Sequence, residues 1–219
     1  ASGPYGGLVL RPSDGEIPKR VAFIQCVGSR DYQLGNNYCS AACCMYGTKE
    51  AVIAKEHTPT KMDATIFFMD MRSYGKEFDA YIERAKDEYG IRFVRSRVAG
   101  VTEDPLTNNL LIHYVEDETP RTEEFDMVVL SIGMQPPKDA GKLAKAFGIE
   151  LNRYNFCETK TFSPVETSKA GIFVCGAFAA PKDIPESVAQ ASGAAAKAMA
   201  VIADQRGTLV AAKEYPPER

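Results

Sequence analysis

Apolar residues fall along this chain in short runs separated by polar, turn-forming stretches. Val21-Ala22-Phe23-Ile24-Gln25 is rich in strand formers, of the kind buried on both faces of a parallel sheet. Asp63 to Asp70, with Ala64-Thr65-Ile66-Phe67-Phe68 inside it, reads as a second strand. Between them a helix is expected from about Tyr38 through Met45 and Tyr46 toward Lys55, with Asn36 or Asn37 as its cap. Gly75 to Ala85 reads as another helix, because Phe78, Tyr81, Ile82 and Ala85 recur at three- and four-residue intervals on one face. Gly90 closes it, and Ile91 to Val98 alternates as a third strand. The order β-α-β-α-β predicts a parallel sheet with helices packed on it.

The pattern then changes. Leu110 to Val115, preceded by the turn residues Asn108 and Asn109, and Phe125 to Ser131 read as two strands of an antiparallel meander laid on the α/β unit. Gly133, Pro136 and Pro137 break the chain at a crossover between domains. Beyond Ile149-Glu150-Leu151 and an irregular stretch to Ser168, Gly171 to Phe178 is expected as a buried strand running into a glycine loop. Pro185 suits the first turn of a helix, and Glu186 to Ala203 is rich enough in alanine to sustain one. A strand, a small-residue turn and a helix N-terminus together form an anion site. The fold class expected is α/β: a Rossmann-like parallel sheet with helices and an antiparallel meander.

Four of the six cysteines, Cys26, Cys39, Cys43 and Cys44, lie within nineteen residues. Cys26 falls where the first strand ends. On the expected helix, Cys39 and Cys43 share a face and Cys44 lies about 100° round from Cys43. Three readings are open: buried small hydrophobes, a zinc site, or an anionic cluster of four iron and four sulfide ions beside a helix N-terminus. Zinc sites favour paired short-range knuckles, which a spacing of thirteen, four and one does not supply. So dense a group of thiols also argues against plain burial.

At 219 residues, 45% hydrophobic and 25% charged, the chain is of globular composition and can bury a sizeable core. A net charge of −3 gives no nucleic-acid footprint. No apolar run approaches the ~18 residues of a membrane span, and no signal peptide heads the chain. Thiols spaced for metal rather than for a disulfide framework predict a reducing compartment, with the cytoplasm as default. The opening Ala1-Ser2-Gly3-Pro4, without an initiator Met, reads as the start of a segment cut from a longer polypeptide.

The run from Val21 through Cys26-Val27-Gly28-Ser29-Arg30-Asp31, followed by Tyr38-Cys39-Ser40 and Cys43-Cys44-Met45-Tyr46, closely resembles the A-type subunits of heterodisulfide reductases. The resemblance implies that Cys26, Cys39, Cys43 and Cys44 ligate a [4Fe-4S] cluster, and that Lys49 lies near a flavin ring. The block from Gly176 to Ala191 matches the same family. It corresponds to the second flavin-binding motif of thioredoxin-reductase-like proteins, which implies flavin contacts for Gly176, Ala177, Phe178, Lys182, Asp183, Ile184 and Gln190. An acid commonly follows the glycine in that motif; Ala177 stands here, and Asp183 is the alternative contact to the flavin chain. A thioredoxin-reductase-like two-domain flavoprotein is implied with these, and FAD as second cofactor. The partners implied are other heterodisulfide reductase-type iron–sulfur subunits with an electron-donor subunit, and a homodimer is a further arrangement.

The domains expected are 1–18, a linker and partial flavin-domain segment; 19–135, an inserted unit like a nicotinamide-nucleotide domain; and 136–219, the C-terminal part of a flavin domain. No G-x-G-x-x-G phosphate loop occurs in the chain, so the flavin site is expected to be incomplete and the isolated piece inactive. Where a nicotinamide unit would turn through glycines, the side chains of Val27, Ser29 and Arg30 would obstruct a pyrophosphate. Asp70 is read as structural, His57 and His113 as isolated, and Cys157 and Cys175 as buried rather than as a redox pair. Arg92, Arg95 and Arg97 suit a solvated sheet face or a patch for an acidic partner. The rival functions are a metal-stabilised docking module without catalysis, on zinc or a cluster, and a nicotinamide-dependent disulfide oxidoreductase.

Overall fold

A computed structural model describes residues 5–205 of the chain. The opening Ala1 to Pro4 and residues 206–219, over which the first and last expected domains extend, lie outside the described residues. The chain divides between Met134 and Gln135 into two compact units.

The first unit is built on four parallel strands, β1 (Arg20–Val27), β2 (Asp63–Phe68), β3 (Arg92–Arg95) and β7 (Met127–Ile132), in the order β3-β2-β1-β7. Helices α1 (Cys43–His57) and α2 (Phe78–Asp87) connect the first three. Val21 and Phe23 of β1 and Ala64 and Ile66 of β2 join Ala51, Val52 and Ala85 of the helices in one core. The alternate residues, Ala22 and Phe67, join Val94, Ile112, Tyr114 and Phe125 in a second. Both faces of the central strands are thus buried, which is why their sequences are apolar without strict alternation.

The second core is capped by an antiparallel sheet of β4 (Gly100–Glu103), β5 (Leu110–Glu116) and β6 (Thr119–Phe125). This corrects the expected meander. Beyond Phe125 the Phe125 to Ser131 run does not pair with β5: its body is β7, parallel to β1, with Val21 opposite Met127 and Ile24 opposite Leu130. The strand beside β5 is the polar segment Thr119–Phe125, paired from Leu110↔Phe125 to Glu116↔Thr119.

The arginine alternation is satisfied inside the chain. Glu123 of β6 is paired with Arg20 of β1 and Arg92 of β3 and accepts the Tyr114 hydroxyl at 3.1 Å. Arg95 pairs with Asp70 at 3.0 Å, and Arg97 stands 3.9 Å from Asp31. Burial pushes the Glu123 carboxyl up, but Arg92, Tyr114 and Arg20 outweigh it and hold it below its ordinary value of 4.5. A depressed carboxyl stabilises the fold above its unfolded pKa, and that contribution is lost as pH falls through the folded value. Urea midpoints measured between about pH 7 and pH 3 should therefore fall less steeply in Glu123→Gln than in the wild type. An identical slope would remove Glu123 from the acid response.

In the second unit α3 (Ala140–Phe147) buries Ala140 and Ala144 and ends at Gly148, whose φ of +66° is the left-handed cap that glycine tolerates. Strands β8 (Thr159–Lys160) and β9 (Ser163–Thr167) form a small hairpin, and Cys157, Val174 and Ala179 form the local core. The expected strand from Gly171 to Phe178 is reduced to one bridge, Glu166↔Phe173, because it has a single short neighbour to pair with. Gly176–Phe178 is a 3₁₀ turn, and α4 (Ile184–Val201) follows, close to the expected helix.

Candidate functional site

The expected thiols gather at the C-terminal edge of β1. Regular alternation would put Cys26 on the face opposite Val21 and Phe23. The ladder with β7 instead slips between Ile24 and Val27, and Cys26 takes a left-handed φ of +61°. Such a bulge re-aims a side chain. Cys26 is thereby packed with Cys43 and Cys44 in one buried group, flanked by Tyr46, Met69 and Met71.

Helix α1 begins five residues later than the expected Tyr38. Ala41 adopts φ +58°, which a right-handed helix does not admit, so Cys39 lies in the preceding loop and not on the helical face of Cys43. Neither Asn36 nor Asn37 caps it: Ala42 holds the N-cap position, and the Asn36 amide donates to the Gly28 carbonyl at 2.9 Å. No side chain caps α1 and no acid stands in its first turn. Its positive end is left open beside the thiols.

The sulfurs are held by hydrogen bonds as well as packing. Ala41 N–H donates to Cys39 Sγ at 3.3 Å, and Arg72 N–H to Cys44 Sγ at 3.4 Å. The Cys44 thiol donates to the Asp70 carbonyl at 3.7 Å, and the neighbouring Cys26 and Cys44 thiols draw Cys43 down against the cost of burial. The Cys43 side chain, with burial, pushes Cys26 and Cys44 up. Cys39 lies within electrostatic reach of both.

A positive charge stands beside them. Arg30, at φ +53°, binds Asp70 at 2.7 Å and lies within electrostatic reach of Cys26 and Cys39. Asp70 is held below the usual carboxylate range by Arg30 and Arg95. The exit of β7 is stitched to the cysteine loop: Gly133 N–H to Val27 O at 2.7 Å, Met134 N–H to Ser40 Oγ at 3.0 Å, Tyr38 Oη to Met134 O at 3.0 Å and Tyr46 Oη to Ile132 O at 2.6 Å. Sequence reasoning missed Ser40, Tyr46 and Gly133 in this role. The signal was Gly133 itself, read only as a chain break.

Four thiols, an open helix N-terminus, donated N–H···S bonds and a nearby guanidinium suit an anionic metal–sulfide group. Among the described residues no group of three or more His, Cys, Asp or Glu side chains is placed to hold a metal ion. Loading would deprotonate the thiols and turn the sulfurs to a common centre.

The second expected site is organised differently. Gly176 has φ +70°, and its N–H is donated to Gln190 Oε1 at 2.9 Å. Asp183 caps α4, its carboxylate accepting Glu186 N–H at 2.8 Å while the Glu186 carboxylate accepts the Asp183 N–H at 3.2 Å. The N-terminus of α4 is thus met by its own carboxylate, whereas that of α1 is not. Ala177 and Ile184 are exposed, Phe178 is half-buried, and burial lowers the Lys182 pKa. Lys49 lies exposed on α1. Cys157 is buried and Cys175 exposed, both as free thiols. No helix among the described residues is long and apolar enough to cross a membrane.

Comparison with known proteins agrees with this architecture. The family described as pyridine nucleotide-disulphide oxidoreductase matches residues 48–195. The second of the A-type CoB–CoM heterodisulfide reductase iron-sulfur subunits of Methanopyrus kandleri is 47% identical over 210 residues, covering 93% of this chain and 31% of that protein. The corresponding A-type protein of Methanocaldococcus jannaschii is 47% identical over 200 residues, covering 89% of this chain and 30% of that protein. This chain therefore spans less than a third of the length of either relative. The thioredoxin reductase of T. acidophilum shares the fold, with a TM-score of 0.55 at 18% identity over 84% of this chain and 52% of that one. Similar to a part of those A-type heterodisulfide reductase subunits, the chain belongs to the pyridine nucleotide-disulphide oxidoreductase family.

Proposed function

We propose that this chain is the part of a heterodisulfide reductase A-type oxidoreductase that relays electrons between FAD and a [4Fe-4S] cluster ligated by Cys26, Cys39, Cys43 and Cys44. The observation that carries the reading is the packing of Cys26, Cys43 and Cys44 at the uncapped start of α1, with Cys39 and Arg30 in electrostatic reach. When bound, the cluster supplies one-electron transfer and FAD the exchange between electron pairs and single electrons.

The chain's own contribution is placement and electrostatics. The bulge at Cys26 and the break at Ala41 bring sulfurs from a strand and a loop to those of the helix. Arg30 and the first-turn N–H groups of α1 offset negative charge, and Met69, Met71 and Tyr46 keep water away. Gly176 to Phe178 and the start of α4, with Lys182, Asp183, Ile184 and Gln190, are this chain's own edge of a flavin site. Residues 19–135 correspond to the inserted unit, with the cysteines at the strand ends where a nicotinamide nucleotide would bind. Flanking segments belong to the flavin domain. Partners of matching chemistry are iron–sulfur subunits and an electron donor.

The test uses the full-length polypeptide, purified without oxygen and loaded with iron, sulfide and FAD. Photoreduction of the flavin should be followed by the paramagnetic signal of a reduced cluster. A flavin that reduces fully while no such signal develops would contradict the relay.

A further inference from the structure

Buried polar atoms that lack a hydrogen-bond partner are concentrated in one place. Of seven such side-chain atoms among the described residues, five belong to Gln25, Ser29, Arg30 and Ser131; both amide atoms of Gln25 are among them. Gln25 is 6% exposed, Ser29 2% and Ser131 not at all. A folded protein rarely leaves such groups unpaired, because each has given up water for nothing.

Gln25, Ser29 and Arg30 flank Cys26 in the chain, and Ser131 stands by Gly47 of α1. Gln25 precedes Cys26 and points toward α1: a Cβ on Gly47, one turn past Cys43, would collide with Gln25 Nε2 and lie 2.9 Å from Ser131 Oγ. Only a glycine lets these two groups reach the helix backbone there. Ser29 closes a turn on Cys26, donating its N–H to the Cys26 carbonyl at 3.1 Å. A Cβ on Gly133 would lie 2.8 Å from Ser29 Cβ and 2.7 Å from Ser40 Oγ, which sets Ser29 between Cys26 and the residue after Cys39. Gln25, Ser29 and Arg30 thus bring unpaired donors within four positions of Cys26, at the end of β1 that carries the thiol.

We propose that Gln25 and Ser29 are positioning residues whose amide N–H and hydroxyl donate hydrogen bonds to the sulfur atoms of the bound cluster and raise its reduction potential. The inference rests on the cluster reading above. Reduction adds negative charge to the sulfurs, so a donated hydrogen bond stabilises the reduced form more than the oxidised one. Arg30, with an unpaired Nη1 on the same side, acts in the same direction through its charge. Hydrogen bonds of this kind are among the levers a protein has on a cluster.

The test is the midpoint potential of the whole chain, loaded with iron and sulfide without oxygen and titrated while the reduced-cluster signal is followed. Gln25→Leu keeps the volume and removes the donor; Ser29→Ala removes only a hydroxyl. Each should load as much iron as the wild type and shift the balance about three- to tenfold toward the oxidised form, tenfold being about 59 mV for a one-electron couple. Gln25→Glu, of the same shape but anionic, should lie lower still, an order that a purely structural role would not produce. Should Gln25→Leu fail to fold, Ser29→Ala decides. Wild-type potentials in the loaded variants would overturn the inference and leave the cluster standing, as if water met those atoms. A wild type that takes up no iron would instead sink the cluster reading, and this inference with it.

Discussion

Cys43→Ser is expected to yield a folded chain that takes up iron and sulfide at least about tenfold less well than the wild type, since even outer partners of a metal site contribute about 10–100-fold to affinity. Cys43 is 1% exposed, stands at the first position of α1 and packs against both Cys26 and Cys44. Its loss removes a ligand from the buried group. Serine keeps the size but not the softness or the acidity of the sulfur, so it is a poor ligand for iron at neutral pH. Burying its hydroxyl costs about 1–3 kcal/mol, which a folded unit can absorb. The visible absorption of the anaerobically loaded protein, bleached by dithionite in the wild type, should be nearly absent in the variant. Undiminished colour would mean that Cys43 is not a ligand.

Phe67→Ala should destabilise the first unit by about 3–5 kcal/mol, the range for large aromatic truncations in packed cores. Phe67 is 1% exposed on β2 and meets Tyr114 of β5 edge-on at 4.9 Å and Phe125 of β6 at 5.9 Å. It is the contact through which the parallel sheet holds the antiparallel one, so truncation leaves a cavity between two layers that cannot both collapse into it. Phe68, its neighbour on the opposite face, is only half-buried against Phe93, and Phe68→Ala should cost less. Denaturant unfolding measures both. A loss under about 1 kcal/mol for Phe67→Ala would mean that the two layers do not depend on this ring.

The parallel core was legible because burial on both faces leaves continuous apolar runs at Val21 to Ile24 and Ala64 to Phe68. The same signal misled at Met127 to Ile132. Apolar residues in a short run mark a parallel strand as readily as a meander strand, and β7 is a parallel strand at the edge of the sheet. The strand Thr119–Phe125 left no trace, since five of its residues are exposed and only Phe125 is buried. Pairing with β5, and not periodicity, makes it a strand. The start of α1 was missed for a related reason. Ser40-Ala41-Ala42 favours helix by propensity, yet Ala41 turns left-handed where Cys39 and Ser40 are drawn into other contacts. The cysteine group was readable from spacing, whereas the close approach of Gln25 and Ser131 to Gly47 and of Ser29 to Gly133 depends on strand faces that no linear pattern displays.

The central claim is that Cys26, Cys39, Cys43 and Cys44 hold one cubane. The direct measurement is the iron and acid-labile sulfide content of the wild-type chain prepared entirely without oxygen. About four of each per chain are expected. Sulfide-free protein carrying one zinc per chain, or no metal at all, would contradict it.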